Sequence, residues 1–192
     1  FKKYSPFLFG VIFLQLISWI IACKIQSIYL IDSYEYIFQV ENIKNFGTWY
    51  AGDLQTEYDF NLVSKRPPFY ALFILLIKNI VNSDYIVLIV QNILSVVNLM
   101  GVLMIFNIFQ IRVNMKFHIF MLLLVFFSSQ LIYSNLIMSE ILLQSVLFWT
   151  FFLFIQCIRK GKPIFFISYN ILLSIGILTK PVLYLFWFPS LI

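Results

Sequence analysis

Four charged sites stand apart in an otherwise apolar sequence, and their residue types suit work on a phosphorylated substrate. Asp32 and Glu140 are carboxylates, Lys65-Arg66 is a basic pair, and Lys180 is the only charge in the last thirty residues. Arg binds phosphate through two parallel hydrogen bonds, and Lys binds it as a point charge. A carboxylate can deprotonate an acceptor hydroxyl or bind a divalent metal ion. These residues are therefore the candidates for a reaction on a phosphorylated, membrane-delivered donor.

Other common catalytic and binding patterns are missing from the sequence. His118 is the only histidine, and the chain contains no Cys/His metal cluster, P-loop or G-x-G-x-x-G motif. The thirteen Lys and Arg residues are scattered, so the net charge of +5 does not form the basic face that nucleic acids require. We therefore predict no nucleic-acid partner and a structural role for His118.

The composition places these charges in a membrane protein. Hydrophobic residues make up 62 % of the 192 positions and charged residues 11 %, whereas soluble domains have about 45–50 % and about 25 %. Several apolar runs reach the length that spans a bilayer, about 17–25 residues. The predicted spans are Pro6–Cys23, Tyr85–Phe109, Phe117–Tyr133, Ile141–Ile158 and Ile164–Leu178, with a truncated sixth from Val182. Because the chain starts at Phe1 and stops inside an apolar run, we expect a fragment of a longer protein.

The distribution of charge predicts how these spans are oriented. Seven basic residues and no acid flank one set of span ends, which the positive-inside rule makes cytoplasmic. They are Lys2, Lys3, Arg112, Lys116, Arg159, Lys160 and Lys162. All eight acids then lie outside: Asp32, Glu35, Glu41, Asp53, Glu57, Asp59, Asp84 and Glu140. The apolar stretch Pro68–Val81 is predicted not to span, because its helix reaches only about 21 Å of a ~30 Å hydrocarbon core.

This topology makes residues 24–84 a large external loop. The loop is predicted to contain two interfacial helices, residues 33–46 and 68–81. Asp32 occupies the N-cap position of the first helix, Glu35 completes a capping box, and Gly47 follows its end. The first helix also carries an apolar stripe that suits the membrane interface. The stripe consists of Tyr36, Ile37, Val40, Ile43 and Phe46.

Each candidate residue also has a purely structural interpretation. Asp32 caps a helix whether or not it is catalytic, and Glu140 can simply begin a span. Lys65, Arg66 and Lys180 can anchor span ends at the interface through their apolar stems. Isolated ionisable groups in apolar surroundings are nevertheless a functional hypothesis by default. Both interpretations stay open for each position.

The order of four short motifs resembles the GT-C superfamily of integral membrane glycosyltransferases. Within that superfamily the likeness is to protein O-mannosyltransferases and lipid A aminoarabinose transferases. The motifs are Ile31-Asp32-Ser33-Tyr34-Glu35-Tyr36, Lys65-Arg66-Pro67-Pro68-Phe69-Tyr70, Met138-Ser139-Glu140 and Leu178-Thr179-Lys180-Pro181. The likeness covers essentially the whole chain, as the N-terminal portion of such an enzyme.

The resemblance implies transfer of a sugar from a polyprenyl-phosphate donor to a lipid, glycan or protein acceptor. The expected place is the outer face of a bacterial inner (cell) membrane. Asp32 becomes the candidate catalytic base and Glu140 a second acid. The candidate substrate-binding residues are Arg66, Lys65, Lys180, Tyr36 and Tyr70. A divalent metal ion, if used, would be held by Asp32 and Glu140, since Ser33 and Lys65 stand where relatives carry further acids.

The prediction from sequence is therefore an all-α polytopic membrane protein with about six transmembrane helices. Residues 1–192 form one transmembrane domain, and its predicted function is that of a glycosyltransferase. A transporter or flippase subunit is one alternative, which would favour charged or broken segments near the middle of the membrane. A non-catalytic membrane assembly protein is another, for which Asp32 and Glu140 would be dispensable.

Overall fold

The chain folds into helices without a β-strand in the part that the structure describes. The computed structural model describes residues 4–26, 28–56, 58–63, 65–110, 114, 117–118 and 129–180. The α-helices of these ranges are α1 (Ser5–Ile25), α2 (Ile31–Phe46), α3 (Pro68–Ile80), α4 (Asp84–Ile108), α5 (Ser129–Tyr133), α6 (Glu140–Lys160) and α7 (Pro163–Thr179). A short 3-10 helix, Phe60–Leu62, lies between α2 and α3. The predicted all-α class is confirmed for these residues.

Three helices, α1, α4 and α6, are long and apolar enough to cross a membrane. They match the first, second and fourth predicted spans and indicate a membrane protein. Helix α3 has 13 residues and α7 has 17, and both are shorter than the candidate spans. Helix α7 corresponds to the predicted fifth span and is about 25 Å long, so that span stays a prediction. Most of the predicted third span and all of the sixth lie outside the described residues. The same holds for four of the basic residues used for orientation, namely Lys2, Lys3, Arg112 and Lys116.

The start of α2 differs from the prediction. The helix begins at Ile31 rather than residue 33, and its N-cap is Leu30, so Asp32 lies inside the first turn and is not the cap. Ser33 supplies the capping contact, because its Oγ accepts a hydrogen bond from the Leu30 N–H at 2.8 Å. The side chain of Glu35 binds Lys65 and Arg66 instead of completing a capping box. A first-turn carboxylate is still favourable, since the helix dipole stabilises negative charge there.

Helices α2 and α3 pack against each other through the apolar stripe of α2. Tyr36 and Val40 are buried in one core with Tyr70 and Ile74 of α3, whereas Phe46 is exposed. The stripe therefore supplies a protein core, and contact of α2 with the membrane stays a prediction. Two predicted boundaries are present. Gly47, in the left-handed conformation (φ 66°), is the C-cap of α2, and α3 starts at Pro68, whose missing N–H costs no hydrogen bond there.

A non-helical turn, residues 134–139, joins α5 to α6 and is buried along its whole length. Gln91 of α4 donates from Nε2 to the carbonyls of Leu136 and Met138, at 3.2 and 3.1 Å. Asn92 Nδ2 donates to the carbonyl of Ser134 at 3.1 Å. Because unpaired backbone groups are costly in apolar surroundings, these amides stabilise the turn. The turn leads directly to Glu140, the first residue of α6.

Candidate functional site

Arg66 is the centre of a cluster of ion pairs between the start of α2 and the residues before α3. Its Nη2 lies 2.6 Å from Oδ1 of Asp32, and its Nε lies 2.5 Å from Oε2 of Glu35. Lys65 Nζ lies 2.6 Å from the other oxygen of Glu35, Oε1. Residues three apart share one face of a helix. One guanidinium can therefore reach both Asp32 and Glu35.

The members of this cluster differ in their exposure to solvent. The side chains of Arg66 and Glu35 are each 15 % exposed, whereas that of Asp32 is 44 % exposed. Burial lowers the pKa of Arg66, but hydrogen bonds to Glu35 and Asp32 raise it, and the resulting pKa lies above its ordinary value. Arg66 therefore stays charged, and Asp32 is the carboxylate of this cluster that a substrate reaches most easily.

A second ion pair joins the start of α6 to the end of α7. Lys180, which follows the last residue of α7, places Nζ 2.6 Å from Oε1 of Glu140. The other carboxylate oxygen, Oε2, is buried and has no hydrogen-bond partner among the described residues. Buried polar atoms are normally paired. This oxygen is therefore available to accept a hydrogen bond from a ligand.

Tyr36 lies between the two ion pairs. Its ring lies under the guanidinium of Arg66, with 5.2 Å from Cζ to the ring centroid, and its hydroxyl donates to Oγ of Ser139 at 3.1 Å. Ser139 immediately precedes Glu140. The ring of Tyr70 contacts Tyr36 edge-on, with centroids 4.7 Å apart. Burial, reinforced by Tyr36 and Glu140, raises the pKa of Tyr70 well above its ordinary value, so its phenol stays protonated.

The structure thus brings all seven candidate residues from the sequence into one connected cluster, which we call the outer cluster. They are Asp32, Tyr36, Lys65, Arg66, Tyr70, Glu140 and Lys180. Their roles on a substrate stay predictions. No protein-family model, curated protein or solved structure matches this chain. The functional conclusion therefore depends on the geometry of the outer cluster.

Two residues that contact the outer cluster, Glu35 and Ser139, were not predicted as site residues. Glu35 was expected only to cap α2, although its spacing from Asp32 already indicates a shared helix face. Ser139 stands in one of the four motifs, but its residue type alone gives no signal. Its role as the partner of Tyr36 depends on the buried turn, residues 134–139, which the sequence does not indicate.

A separate polar cluster joins the chain before α2 to the adjoining ends of α3 and α4. Lys78 Nζ lies 2.6 Å from Oδ1 of Asp84, and the Tyr29 hydroxyl donates a short hydrogen bond to Oδ2 of the same carboxylate. Burial and this hydrogen bond raise the pKa of Tyr29 above its ordinary value. The ring of Tyr29 also stacks on that of Tyr34, with centroids 5.4 Å apart. This cluster holds three chain segments together.

The carboxylates of the outer cluster are arranged around cations. Within the described ranges no three His, Cys, Asp or Glu residues are grouped as a metal site would require. Asp32 and Glu140, the predicted metal ligands, contact Arg66 and Lys180 respectively. Asp32 and Glu35 share one partner, the guanidinium of Arg66. The arrangement favours Arg and Lys as the positive charges of the site.

Two cavities among the described residues are lined by side chains that do not belong to the outer cluster. A groove of about 430 Å³ runs between α1 and α4 and is lined mainly by apolar side chains. Its lining includes Ile12, Leu16, Trp19, Ile89 and Ile93. A second cavity of about 220 Å³ lies near the far end of α4, beside Leu103 and Phe152. An apolar chain fits the lining of the larger groove, whereas a charged group fits the outer cluster.

Proposed function

We propose that the chain is an integral membrane glycosyltransferase that moves a sugar from a polyprenyl-phosphate donor to an acceptor at the outer face of the bacterial inner membrane. The observation that carries the proposal is the pair Asp32 and Arg66, an exposed carboxylate held by a mostly buried guanidinium. This pair connects through Tyr36 to the pair Glu140 and Lys180. A general base and cations that bind phosphate are groups that serve transfer from a phosphorylated donor.

Asp32 is the proposed general base. It takes the proton of an acceptor hydroxyl, which must lie within about 2.6–3.2 Å of the carboxylate. The hydroxyl oxygen then forms a bond to the anomeric carbon of the sugar. The bond from that carbon to the phosphate oxygen breaks, and polyprenyl phosphate leaves with the electron pair. Arg66 fixes the orientation of Asp32 through the contact to Oδ1.

Lys65 and Lys180 are the proposed ligands of the donor phosphate. Their side chains are 46 % and 34 % exposed, compared with 15 % for Arg66. Each of the three cations of the outer cluster already contacts a carboxylate, namely that of Asp32, Glu35 or Glu140. An incoming phosphate therefore replaces a carboxylate as the partner of a cation. The exposed lysines can make this exchange at lower cost than the buried arginine. We therefore assign Arg66 to orienting Asp32.

The groove between α1 and α4 is the proposed path of the polyprenyl chain. Trp19 lines this groove and also packs against the core that contains Tyr36 and Tyr70. The groove therefore approaches the outer cluster from the side of two membrane-spanning helices. Its largely apolar lining matches a hydrocarbon chain, whose burial is favoured by the hydrophobic effect.

The substitution Asp32→Asn tests the proposed base. The full-length protein in membranes would be assayed for sugar transfer from a polyprenyl-phosphate donor, with expression and thermal stability measured alongside. Loss of a general base lowers the rate by about 10²–10⁴-fold, while the isosteric amide keeps the size of the side chain. Glu41→Gln is the matched control, because Glu41 is an exposed carboxylate on the same helix. A folded Asp32→Asn protein with most of its activity would contradict the proposal.

A transporter or flippase subunit is the second candidate, and the buried turn, residues 134–139, favours it. Many transporters form their binding sites from non-helical backbone within the membrane. The side chains of other helices that bind this turn, however, are uncharged amides such as Gln15, Gln91 and Asn92. A flippase would move the lipid without cleaving it. Lipid movement across vesicles that persists in Asp32→Asn would favour this candidate, and an assembly protein would show neither activity.

A further inference from the structure

The segment between α2 and α3 contains a hydrogen-bonded loop, which the structure describes over residues 48–56 and 58–63 and which we call the aromatic loop. Asn42 of α2 donates from Nδ2 to the carbonyls of Tyr50 and Gly52, at 2.9 and 2.8 Å. The Ala51 N–H donates to the Leu62 carbonyl at 3.2 Å, so the two arms of the loop are paired. Tyr50 and Ala51 are fully buried. The loop therefore has a core of its own, in the manner of compact loops that carry function.

This loop presents aromatic rings to solvent. The Tyr58 ring stacks on buried Tyr50, with centroids 4.6 Å apart and planes inclined by 16°. Phe60 contacts Tyr58 edge-on at 5.1 Å. Tyr58 is 51 % exposed and Phe60 is 81 % exposed. Buried Tyr50 therefore holds the Tyr58 ring, and through it the contact to Phe60, in place before any ligand arrives.

The aromatic loop adjoins the outer cluster. The side-chain amide of Gln39 donates to the carbonyls of both Trp49 and Arg66, each at 3.2 Å. Gln39 is itself buried. The backbone that starts the loop and the backbone of Arg66 are thus held by one nitrogen atom. The start of the loop therefore lies beside the backbone of Arg66, whose side chain contacts Asp32.

The charge of the loop distinguishes between possible ligands. Residues 48–63 contain three acids, Asp53, Glu57 and Asp59, and no base. Segments that bind membrane surfaces carry Lys and Arg instead, because the lipids are anionic. A phosphorylated ligand is disfavoured by the same charge. Aromatic faces beside carboxylates suit a neutral sugar, whose C–H face lies on the ring and whose hydroxyls donate to the carboxylate oxygens.

We propose that the aromatic loop binds a neutral glycan of hexose or N-acetylhexosamine units, with Tyr58 and Phe60 as the stacking surface. Within the loop, Asp53 Oδ1 accepts a hydrogen bond from the Gln55 N–H, and Asp59 Oδ1 accepts one from the Asn61 N–H. Hydroxyls of the glycan bind the outward carboxylate edges. The role of this glycan rests on the proposed function: the glycan is the acceptor, and its free hydroxyl reaches Asp32.

Ligand-observed NMR tests the binding directly. The full chain in detergent would be mixed with chitotetraose, maltotetraose or mannotetraose, and saturation transfer to sugar C–H protons would be measured. We expect saturable transfer to at least one probe, weakened about tenfold by Phe60→Ala and by Tyr58→Ala, since an aromatic contact contributes at about that level. Phe60 is the more decisive position because it is the more exposed. Phe109→Ala is the matched control, an exposed phenylalanine beyond the far end of α4.

Three results would overturn the inference. The first is no saturable transfer to any of the tetrasaccharides, and the second is binding that Phe60→Ala and Phe109→Ala leave equally intact. The third is membrane insertion of the loop. For that measurement, a single tryptophan introduced by Phe60→Trp, with the four native tryptophans replaced by phenylalanine, would be quenched by brominated phosphatidylcholine. Binding does not require transfer activity, so glycan binding by a protein that fails the transfer assay would separate this inference from the proposed function.

Discussion

The hydroxyl of Tyr36 donates to Oγ of Ser139 at 3.1 Å, across 103 positions of sequence. Tyr36 belongs to α2 and also lies under Arg66. Ser139 ends the buried turn and directly precedes Glu140. One phenol therefore connects the ion pair of Asp32 with the ion pair of Glu140. The two carboxylates proposed for the reaction keep their relative position through this contact.

Tyr36→Phe is expected to weaken the connection while keeping the packing of the ring. Loss of the hydrogen bond and the unsatisfied Ser139 hydroxyl should reduce the free energy of unfolding by about 1–2 kcal/mol. Transfer activity should fall further than stability explains, because Glu140 loses its fixed position. Thermal unfolding and transfer rates of the full-length protein measure both. Tyr34→Phe is the control, since Tyr34 is half-exposed. Equal activity of the two variants would show that the contact does not position the site.

A double-mutant cycle on Glu140 and Lys180 measures the second ion pair. Glu140→Gln and Lys180→Met should each destabilise the protein, and the double variant should cost less than the sum. We expect a coupling free energy of about 1 kcal/mol, the upper end for partly exposed pairs. The pair Glu41→Gln and Lys180→Met should be additive, because Glu41 is an exposed residue of another helix. Additive effects for Glu140 and Lys180 would mean that the observed contact contributes no coupling.

Tyr29→Phe tests the polar cluster at the start of α4 through its dependence on pH. The folded protein raises the pKa of Tyr29 above its ordinary value of 10.0. The stabilisation is therefore fully present below about pH 10 and is lost as the pH rises from there toward the folded pKa, because the unfolded chain ionises first. Melting temperatures of the natural protein and Tyr29→Phe should differ at neutral pH and converge above about pH 10. A constant difference in melting temperature between the two proteins across this pH range would contradict the assignment.

Cysteine labelling tests the predicted orientation of the spans. Single cysteines replacing Lys3, Arg112 and Lys160, in a background without Cys23 and Cys157, should resist an impermeant thiol reagent in intact cells. The reason is the excess of basic residues on that side, which the positive-inside rule makes cytoplasmic. A cysteine replacing Asp53 should react. Labelling at Lys160 without labelling at Lys3 would show an additional crossing between them, and α3 would be the helix that crosses.

The sequence predicted the helical class and the residues of the outer cluster, for identifiable physical reasons. Long apolar runs define spans by themselves, and isolated charges in such runs stand out. The position of Asp32 was less predictable, because both Asp32 and Ser33 have side chains that can cap a helix. A shift of the helix start by one or two residues changes the role of each. The hydrogen bonds of Gln91 to the buried turn were not predicted at all. A single amide in an apolar helix looks the same whether it binds a distant carbonyl or one in its own helix.

The turn of residues 134–139 constrains how the protein enters the membrane. The carbonyls of Ser134, Leu136 and Met138 accept hydrogen bonds from side chains of α4, so a turn that reached lipid without α4 would expose polar backbone to hydrocarbon. Helix α4 is synthesised earlier and must still be adjacent when the turn emerges. Insertion of the turn and of α6 therefore depends on α4 remaining next to them during synthesis. Gln91→Leu should consequently trap the nascent protein before release, a defect of biogenesis that purified, folded protein would not reveal.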